Sequence, residues 1–398
     1  MSRILFFIFA VFLLAFSAGV HLSCQNDIPV QHEKPQAPRT FVPIADKEST
    51  VRVLIVGSAQ DVLLAINGSY QIADTASNIL DQGQLLTRSK VSVDSSGIRI
   101  GNKCYKVSEL RIKSTRDGAI EINNVPYRGR MSLSQQPDNK LFVIEEMEIE
   151  DFVTGVVGSE MPHLWNDEAH CAQAVAVRTY TMYKKKARRS EKYHLDMQDL
   201  AYRGMAGESL RLSSLVQKTK GLVMTYNGNI FPAYFHSACG GHTEDVSHVF
   251  RDESIPPLSG VVCKYCGNSK YAKWKRDISK SVIERKLRDA NVSVSNIRSI
   301  KTLDMGYGKH GSRVEIVSAG GSKEMGANDF RLLVGPNILC STAFSAKSSG
   351  NNMTFSGIGW GHGVGLCQHG AQTMAKNGFK WPDIINYYYP KNDLMRVY

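Results

Sequence analysis

The chain has 398 residues, enough for two to three domains at roughly 100 to 200 residues each, with 42% hydrophobic and 21% charged residues. That hydrophobic content with 9% aromatics excludes wholesale disorder, and 33 Gly with 13 Pro excludes a collagen-like or low-complexity chain. Forty-eight basic against 37 acidic residues leave a net charge of +11, which points to an anionic partner, with nucleic acid, anionic lipid and acidic cell-wall glycan all eligible.

The N-terminus narrows that choice. One basic residue, Arg3, precedes fifteen uncharged residues from Ile4 to Ala18, the form of a signal peptide. Residues 1–23 are expected to be a signal peptide or, uncleaved, a membrane anchor, since about 17 to 25 apolar residues span a bilayer. His21-Leu22-Ser23-Cys24 is similar to a bacterial lipobox, with His21 where Leu is usual, so lipidation at Cys24 is a third outcome. Residues 24–49, polar and carrying Pro29, Pro35, Pro38 and Pro43, read as a linker. Each outcome puts the body of the chain in the cell envelope, outside the cytoplasm, and removes nucleic acid as the partner.

From residue 50 to about 140 the apolar residues fall in short runs of strand character: Val51 to Val56, Val62 to Ile66, Val91 to Val93 and Ile98 to Ile100. Asn67-Gly68, Ser96-Gly97, Gly101-Asn102 and Asp117-Gly118 sit between or beside them as hairpin turns. This part is expected to be a β-rich packing or positioning domain, because no clustered His, Cys or paired carboxylate occurs in it.

Beyond Glu145 the pattern changes. Asn166 or Asp167 caps a helix with Asp167 and Glu168 in its first turn and Lys184, Lys185 and Lys186 in its last, as the helix dipole prefers. Ala169, Ala172, Ala176, Tyr180 and Tyr183 recur at three- and four-residue spacing and form one packing face. Gln173 and Arg178 lie inside this otherwise apolar stretch, where a polar side chain is either exposed or committed to a site. Glu160 precedes a Pro-bounded turn, between Ser159 and Met161 and after Val156-Val157. Apolar surroundings of that kind hold a carboxyl group protonated. A shift from about 4.3 to about 6 raises the protonated fraction at pH 7 from roughly 0.2% to roughly 10%, which a general acid needs; without that shift these residues alone read as a surface loop glutamate.

Val156-Val157-Gly158-Ser159-Glu160-Met161-Pro162 followed by Ala172-Gln173-Ala174-Val175-Ala176-Val177-Arg178-Thr179-Tyr180 resembles the stage II sporulation protein D family (SpoIID/LytB). Tyr202-Arg203-Gly204, Thr219 to Val223, Phe235 to Glu244, Gly359 to Gly365 with Gln368, Gly370 and Ala371, and Tyr387 to Pro390 resemble the same family in the same order. The resemblance covers roughly Leu141 to the C-terminus. It implies a mixed α+β (α/β) catalytic region over residues 141–398 and a peptidoglycan lytic transglycosylase that cuts between N-acetylmuramic acid and N-acetylglucosamine. By that resemblance Glu160 is the acid and Gln173 and Arg178 lie beside the groove, with Arg178 a catalytic residue that either holds a substrate carboxylate or N-acetyl oxygen or orients Glu160; Gln173 and Ser159 are candidate substrate contacts. A single carboxyl group suffices, since the muramic C6 hydroxyl, not water, closes onto C1 and leaves a 1,6-anhydro end.

Gly359, Gly361, Gly363 and Gly365 alternate, but no βαβ unit with a following acidic residue supports a dinucleotide loop. Alternating glycine instead permits close backbone approach. His362 and Gln368 in that segment, with His236, are candidate sugar contacts or structural hydrogen-bonding groups. Cys367 stands where the family usually carries Ser.

Eight cysteines are too few for a disulfide scaffold. Cys239-x-x-His242, twenty residues and then Cys263-x-x-Cys266 have the spacing of a structural zinc site, with His236 a competing ligand. The resemblance is compatible with this, some members of the family being thought to bind zinc. A Cys263/Cys266 disulfide and free buried thiols are the alternatives. No His-Glu-x-x-His pattern supports a catalytic zinc, and no organic cofactor is expected.

Lys184 to Arg189 read either as a solvated helix end or as a patch attracted to wall carboxylates and headgroups. The expected partners are peptidoglycan glycan strands, the membrane through the N-terminal segment, and a wall amidase if the chain is a non-catalytic recruiter. A glycan-binding scaffold at the division site is the remaining reading.

Overall fold

The computed structural model describes residues 49–114, 118–250 and 253–398. The expected export segment, all but the last residue of the linker, Cys24 and the turn residue Asp117 lie outside the described residues. No helix among the described residues is long and apolar enough to cross a membrane.

The first part is a meandering sheet: β1 (Thr50–Ala59), β2 (Asp61–Ala73), β3 (Ile79–Asp94), β4 (Gly97–Ile100), β5 (Lys103–Tyr105), β6 (Glu109–Ser114), β7 (Ala119–Ile122), β8 (Val125–Tyr127), β9 (Arg130–Gln135) and β10 (Leu141–Glu148). Strict alternation directs Val51, Val53 and Ile55 of β1 inward, so one face of the sheet is apolar. Ser96-Gly97 and Gly101-Asn102 make the expected hairpin turns, joining β3 to β4 and β4 to β5. Asn67-Gly68 does not: the pair lies within the thirteen-residue β2, where the pairing with β3 shifts register between Asn67 and Tyr70. Gly68 at φ 118° is accommodated there as a bulge.

Two helices follow directly, α1 (Ile149–Glu160) and α2 (Asp167–Ala187), then β11 (Leu195–Asp196), α3 (Leu210–Lys218), β12 (Leu222–Tyr226), β13 (Asn229–Ile230), β14 (Phe235–His236) and α4 (Val246–Phe250). Asn166 caps α2, its side chain accepting from the Glu168 amide at 2.9 Å. The sheet order is β11-β1-β10-β9-β6-β2-β3-β4-β5, with β7 also on β2. The boundary expected at residue 140 therefore falls between two strands of one sheet, and β11 adds to that sheet from the later region.

The chain continues through β15 (Trp274–Ser279), α5 (Lys280–Asp289), β16 (Ser299–Met305), β17 (Gly311–Ser318), β18 (Gly321–Gly326), α6 (Ala327–Val334), β19 (Phe344–Ser349) and β20 (Asn352–Gly357). These enclose a core of their own around Ile300, Val314, Phe330 and Phe355. β21 (Leu366–Cys367), α7 (Gln368–Lys376), α8 (Trp381–Tyr388) and β22 (Asp393–Arg396) then return to the middle of the chain. β21 pairs in parallel with β14, and β22 pairs antiparallel with β12. The result is mixed α+β with a β-rich N-terminal region, as the sequence predicts.

Helix α2 joins two cores. Cys171, Ala174 and Val177 face the core shared with the sheet, while Ala169, Ala172 and Ala176 face α7 and α8. The small side chains let helices approach closely on that second face.

Candidate active site and cysteine cluster

The last turn of α1 forms one wall of a cleft of about 460 Å³, lined on that side by Ser159, Glu160 and Met161 and on the other by Ser237, Lys270, Tyr271, Gln368 and His369. Among the described residues Glu160 is the only carboxylate lining it. A larger hollow of about 1080 Å³ on the β-sheet, beside Tyr70 and Arg128, contains none of the candidate site residues singled out from the sequence.

Glu160 is held at both oxygens. The Ala201 amide donates to Oε1 at 3.0 Å and the Gln368 side-chain amide to Oε2 at 3.3 Å. Burial raises the Glu160 carboxyl above its ordinary range, outweighing the opposite pull of those two donors and of the Arg203 charge. Its place at the C-terminal, electronegative end of α1 acts in the same direction. The carboxyl group is therefore positioned as a proton donor facing an open cleft.

The loop that supplies the Ala201 amide comes close because glycine permits it. A Cβ on Gly158 would sit 1.8 Å from the Gly207 carbonyl oxygen, so α1 and this loop pack backbone to backbone. Ser159 lines the cleft while its hydroxyl donates back to the Gly155 carbonyl at 2.8 Å.

Arg178 and Gln173 are not in the cleft. Arg178 is fully buried and forms a bidentate ion pair with Glu150 of α1, Nε to Oε1 at 2.9 Å and Nη2 to Oε2 at 2.7 Å. It also donates to the Leu222 and Val216 carbonyls. Glu150 further accepts from the Gly221 amide and the Tyr398 hydroxyl. Burial alone raises the Glu150 carboxyl, but Arg178 with these donors prevails and holds it below the usual range. Arg178 thus ties α1 to α2 instead of orienting Glu160. Gln173 is likewise fully buried, with neither side-chain polar atom hydrogen-bonded.

His236 and His362 also stand outside the cleft. His236 in β14 is buried, its Nδ1 is 3.0 Å from the Val364 carbonyl, and its ring lies 5.6 Å from that of His362. Burial pulls His236 down to about 4 and His362 well below its ordinary value, so both rings are neutral at pH 7. Gly359, Gly361, Gly363 and Gly365 all take positive φ in the loop that carries His362, where bulkier residues would strain the backbone.

The sequence reading missed Trp165, Lys270, Tyr271 and His369. The rings of Trp165, Tyr271 and His369 make one side of the cleft aromatic: Trp165 and His369 lie 4.9 Å apart and Tyr271 and His369 5.4 Å apart. His369 directly after Gln368 was the available signal; Tyr271 had none. The basic stretch that closes α2 is partly committed, since Lys184 and Arg188 both pair with Asp199 and Lys185 is buried.

Cys239, Cys263, Cys266 and Cys367 converge, with all four Sγ atoms within 4.8 Å of one another and all four side chains buried. His242, expected as the fourth member, is not among them. It follows the Gly240-Gly241 turn, its Nδ1 meets the Thr243 carbonyl and its ring stacks obliquely on Tyr307. Cys263 and Cys266 are not joined to each other as a disulfide.

A family model described as stage II sporulation protein (SpoIID) matches residues 137–226. An uncharacterized protein of Brachyspira hyodysenteriae is 29% identical over 87% of this chain and 93% of its own length. The stage II sporulation protein D of Bacillus subtilis is 30% identical over 62% of this chain and 74% of its own length. The amidase enhancer of the same bacterium is 26% identical over 60% of this chain, which spans 40% of that relative's length.

Proposed function

The chain belongs to the stage II sporulation protein D family, and on that premise we propose that it is an exported peptidoglycan lytic transglycosylase acting in cell-wall remodelling. The observation that carries this reading is the lone carboxyl group of the cleft, held by Ala201 and Gln368 and raised by burial. Protonated Glu160 donates to the glycosidic oxygen as the muramic C1–O bond breaks. Its carboxylate then takes the proton of the C6 hydroxyl while O6 bonds to C1, which restores the acid and consumes no water. A hydrolase of the usual kind needs a second carboxylate across the cleft, and none of the described residues supplies one there. Tyr271, Trp165 and His369 supply aromatic surface for sugar to pack on, and the net charge of +11 favours acidic wall polymer. The reading places the chain in the cell envelope, anchored or released at its N-terminal segment.

The deciding experiment is mass spectrometry of products from purified, peptide-stripped glycan strands. Anhydro-muramic ends establish the reaction, and new reducing ends indicate a hydrolase instead. Absence of product favours a second reading, a glycan-binding enhancer or recruiter of a wall amidase, which the similarity to the Bacillus subtilis amidase enhancer supports.

A further inference from the structure

Two kinds of buried cysteine occur among the described residues. Cys171 and Cys340 are single, Cys171 meeting only a backbone carbonyl, that of Leu215 at 3.7 Å, as small apolar residues do. Cys239, Cys263, Cys266 and Cys367 come from three distant segments and direct their sulfurs to one point. We propose that these four thiolates hold a structural zinc ion, and that this site builds the cleft wall facing Glu160.

The donor set fits that ion. Zinc–sulfur bonds of about 2.3 Å in a tetrahedron separate the sulfurs by about 3.8 Å; Cys239 and Cys266 are 3.4 Å apart and no pair exceeds 4.8 Å. Four soft donors without carboxylate select zinc over magnesium or calcium and leave no position for substrate. An outer layer of donors is in place. The Cys239 and Gly370 amides donate to Cys367 Sγ and the Gly241 amide to Cys239 Sγ, each at 3.4 Å, while the Tyr388 hydroxyl lies 3.2 Å from Cys263 Sγ. Such groups orient and stabilise metal-bound thiolates.

Every segment passing through the cluster also delivers cleft residues. Ser237 lies two positions before Cys239, Lys270 and Tyr271 four and five after Cys266, and Gln368 and His369 one and two after Cys367. Cys367 is also the N-cap of α7, so the fourth ligand and the amide on Glu160 are consecutive residues. Zinc here would fix three otherwise separate pieces of chain as one wall. The metal assignment stands apart from the proposed activity; only its consequence for Glu160 rests on that reading.

The test starts from full chain purified without chelator. Elemental analysis is expected to return one zinc per chain, and cobalt(II) exchange to give the intense thiolate charge-transfer bands of a four-sulfur tetrahedral site. His242→Ala should retain the metal and Cys367→Ser should lose most of it. Hydrogen exchange after chelation should accelerate in residues 268–272 and 366–372 and remain unchanged in β1, β2 and β10. Metal-free protein with four freely alkylated thiols, or with a mass two units low from a disulfide, overturns the site. So does loss of metal in His242→Ala with retention in Cys367→Ser, and unchanged exchange over 366–372 overturns the link to the cleft. Should Cys367→Ser fail to fold, the wild-type zinc count and alkylation of the four thiols decide. None of these readouts involves glycan, so zinc-loaded protein that releases no anhydro product counts against the activity alone.

Discussion

The Gln368 side chain donates to Glu160 from 208 positions away, across the cleft, at 3.3 Å. A donor to a carboxylate stabilises its charged form and lowers its pKa, so Gln368 moderates a group that burial has raised. Gln368→Ala is therefore expected to move the alkaline limb of the pH–rate profile for glycan cleavage to higher pH, because the Glu160 proton is then held more tightly. The acid form persists further up the scale even as the maximal rate falls through loss of positioning. An unchanged or downward-shifted limb would show that Gln368 does not act through Glu160.

Glu160→Gln keeps an oxygen for the Ala201 amide and removes the transferable proton. Release of anhydro-muropeptides should fall by about 10² to 10⁴, with the circular dichroism spectrum and thermal midpoint near wild type. Cleavage at the wild-type rate would remove Glu160 from the chemistry.

Arg178→Ala is expected to act on stability. It leaves Glu150 buried without its bidentate partner, and loss of one member of a buried ion pair costs about 3 to 5 kcal/mol. Denaturant unfolding reads this directly. Whatever fraction of the variant is folded should keep the wild-type pH–rate profile, since Arg178 makes no contact with Glu160; a catalytic or orienting Arg178 would give the reverse pattern, normal stability and an altered profile.

Glu145 of β10 is fully buried, and burial raises its carboxyl to about 8, against the pull of the Tyr202 hydroxyl and the Arg128 amide. The folded chain thus holds a proton that the unfolded chain releases near pH 4.5. Its contribution is fully present below that pH and is lost as pH rises toward about 8, a change of about 3 kcal/mol by pH 7. Glu145→Gln should flatten this dependence, so that its denaturation midpoint exceeds that of wild type at pH 8 but not at pH 4. Parallel curves for the two proteins would refute the assignment.

Local signals in the sequence carried through where the determinant was local. Alternation over Val51–Val56 is β1, Asn166 caps α2, and the apolar run before Glu160 is the helix that half-buries it. Most of the failures come from partners supplied from far along the chain. A polar residue in an apolar helix reads as exposed or functional, whereas Arg178 has a third option in Glu150, on a different helix. Helical periodicity assigns a residue to a face without saying what charge waits there. Cys239-x-x-His242 has the spacing of a ligand pair, yet the positive φ values of Gly240 and Gly241 carry His242 away from the thiols. Cys367 reaches them only because β21 lies parallel to β14, with His236 opposite Cys367. Tyr271 enters the cleft from a segment with no motif of its own.

The pairing of β22 with β12, and of the Tyr398 hydroxyl with Glu150 at 2.7 Å, bears on the order of assembly. Domains emerging from a ribosome or a translocation channel usually fold from the N-terminal end. Here the carboxylate that neutralises Arg178 receives one of its donors from residue 398, so α1 and α2 can associate early but their buried charges are fully satisfied only when the far end of the chain arrives. Until then the helix pair that carries Glu160 remains incompletely paired, so the final geometry of α1 waits on a hydrogen bond from residue 398.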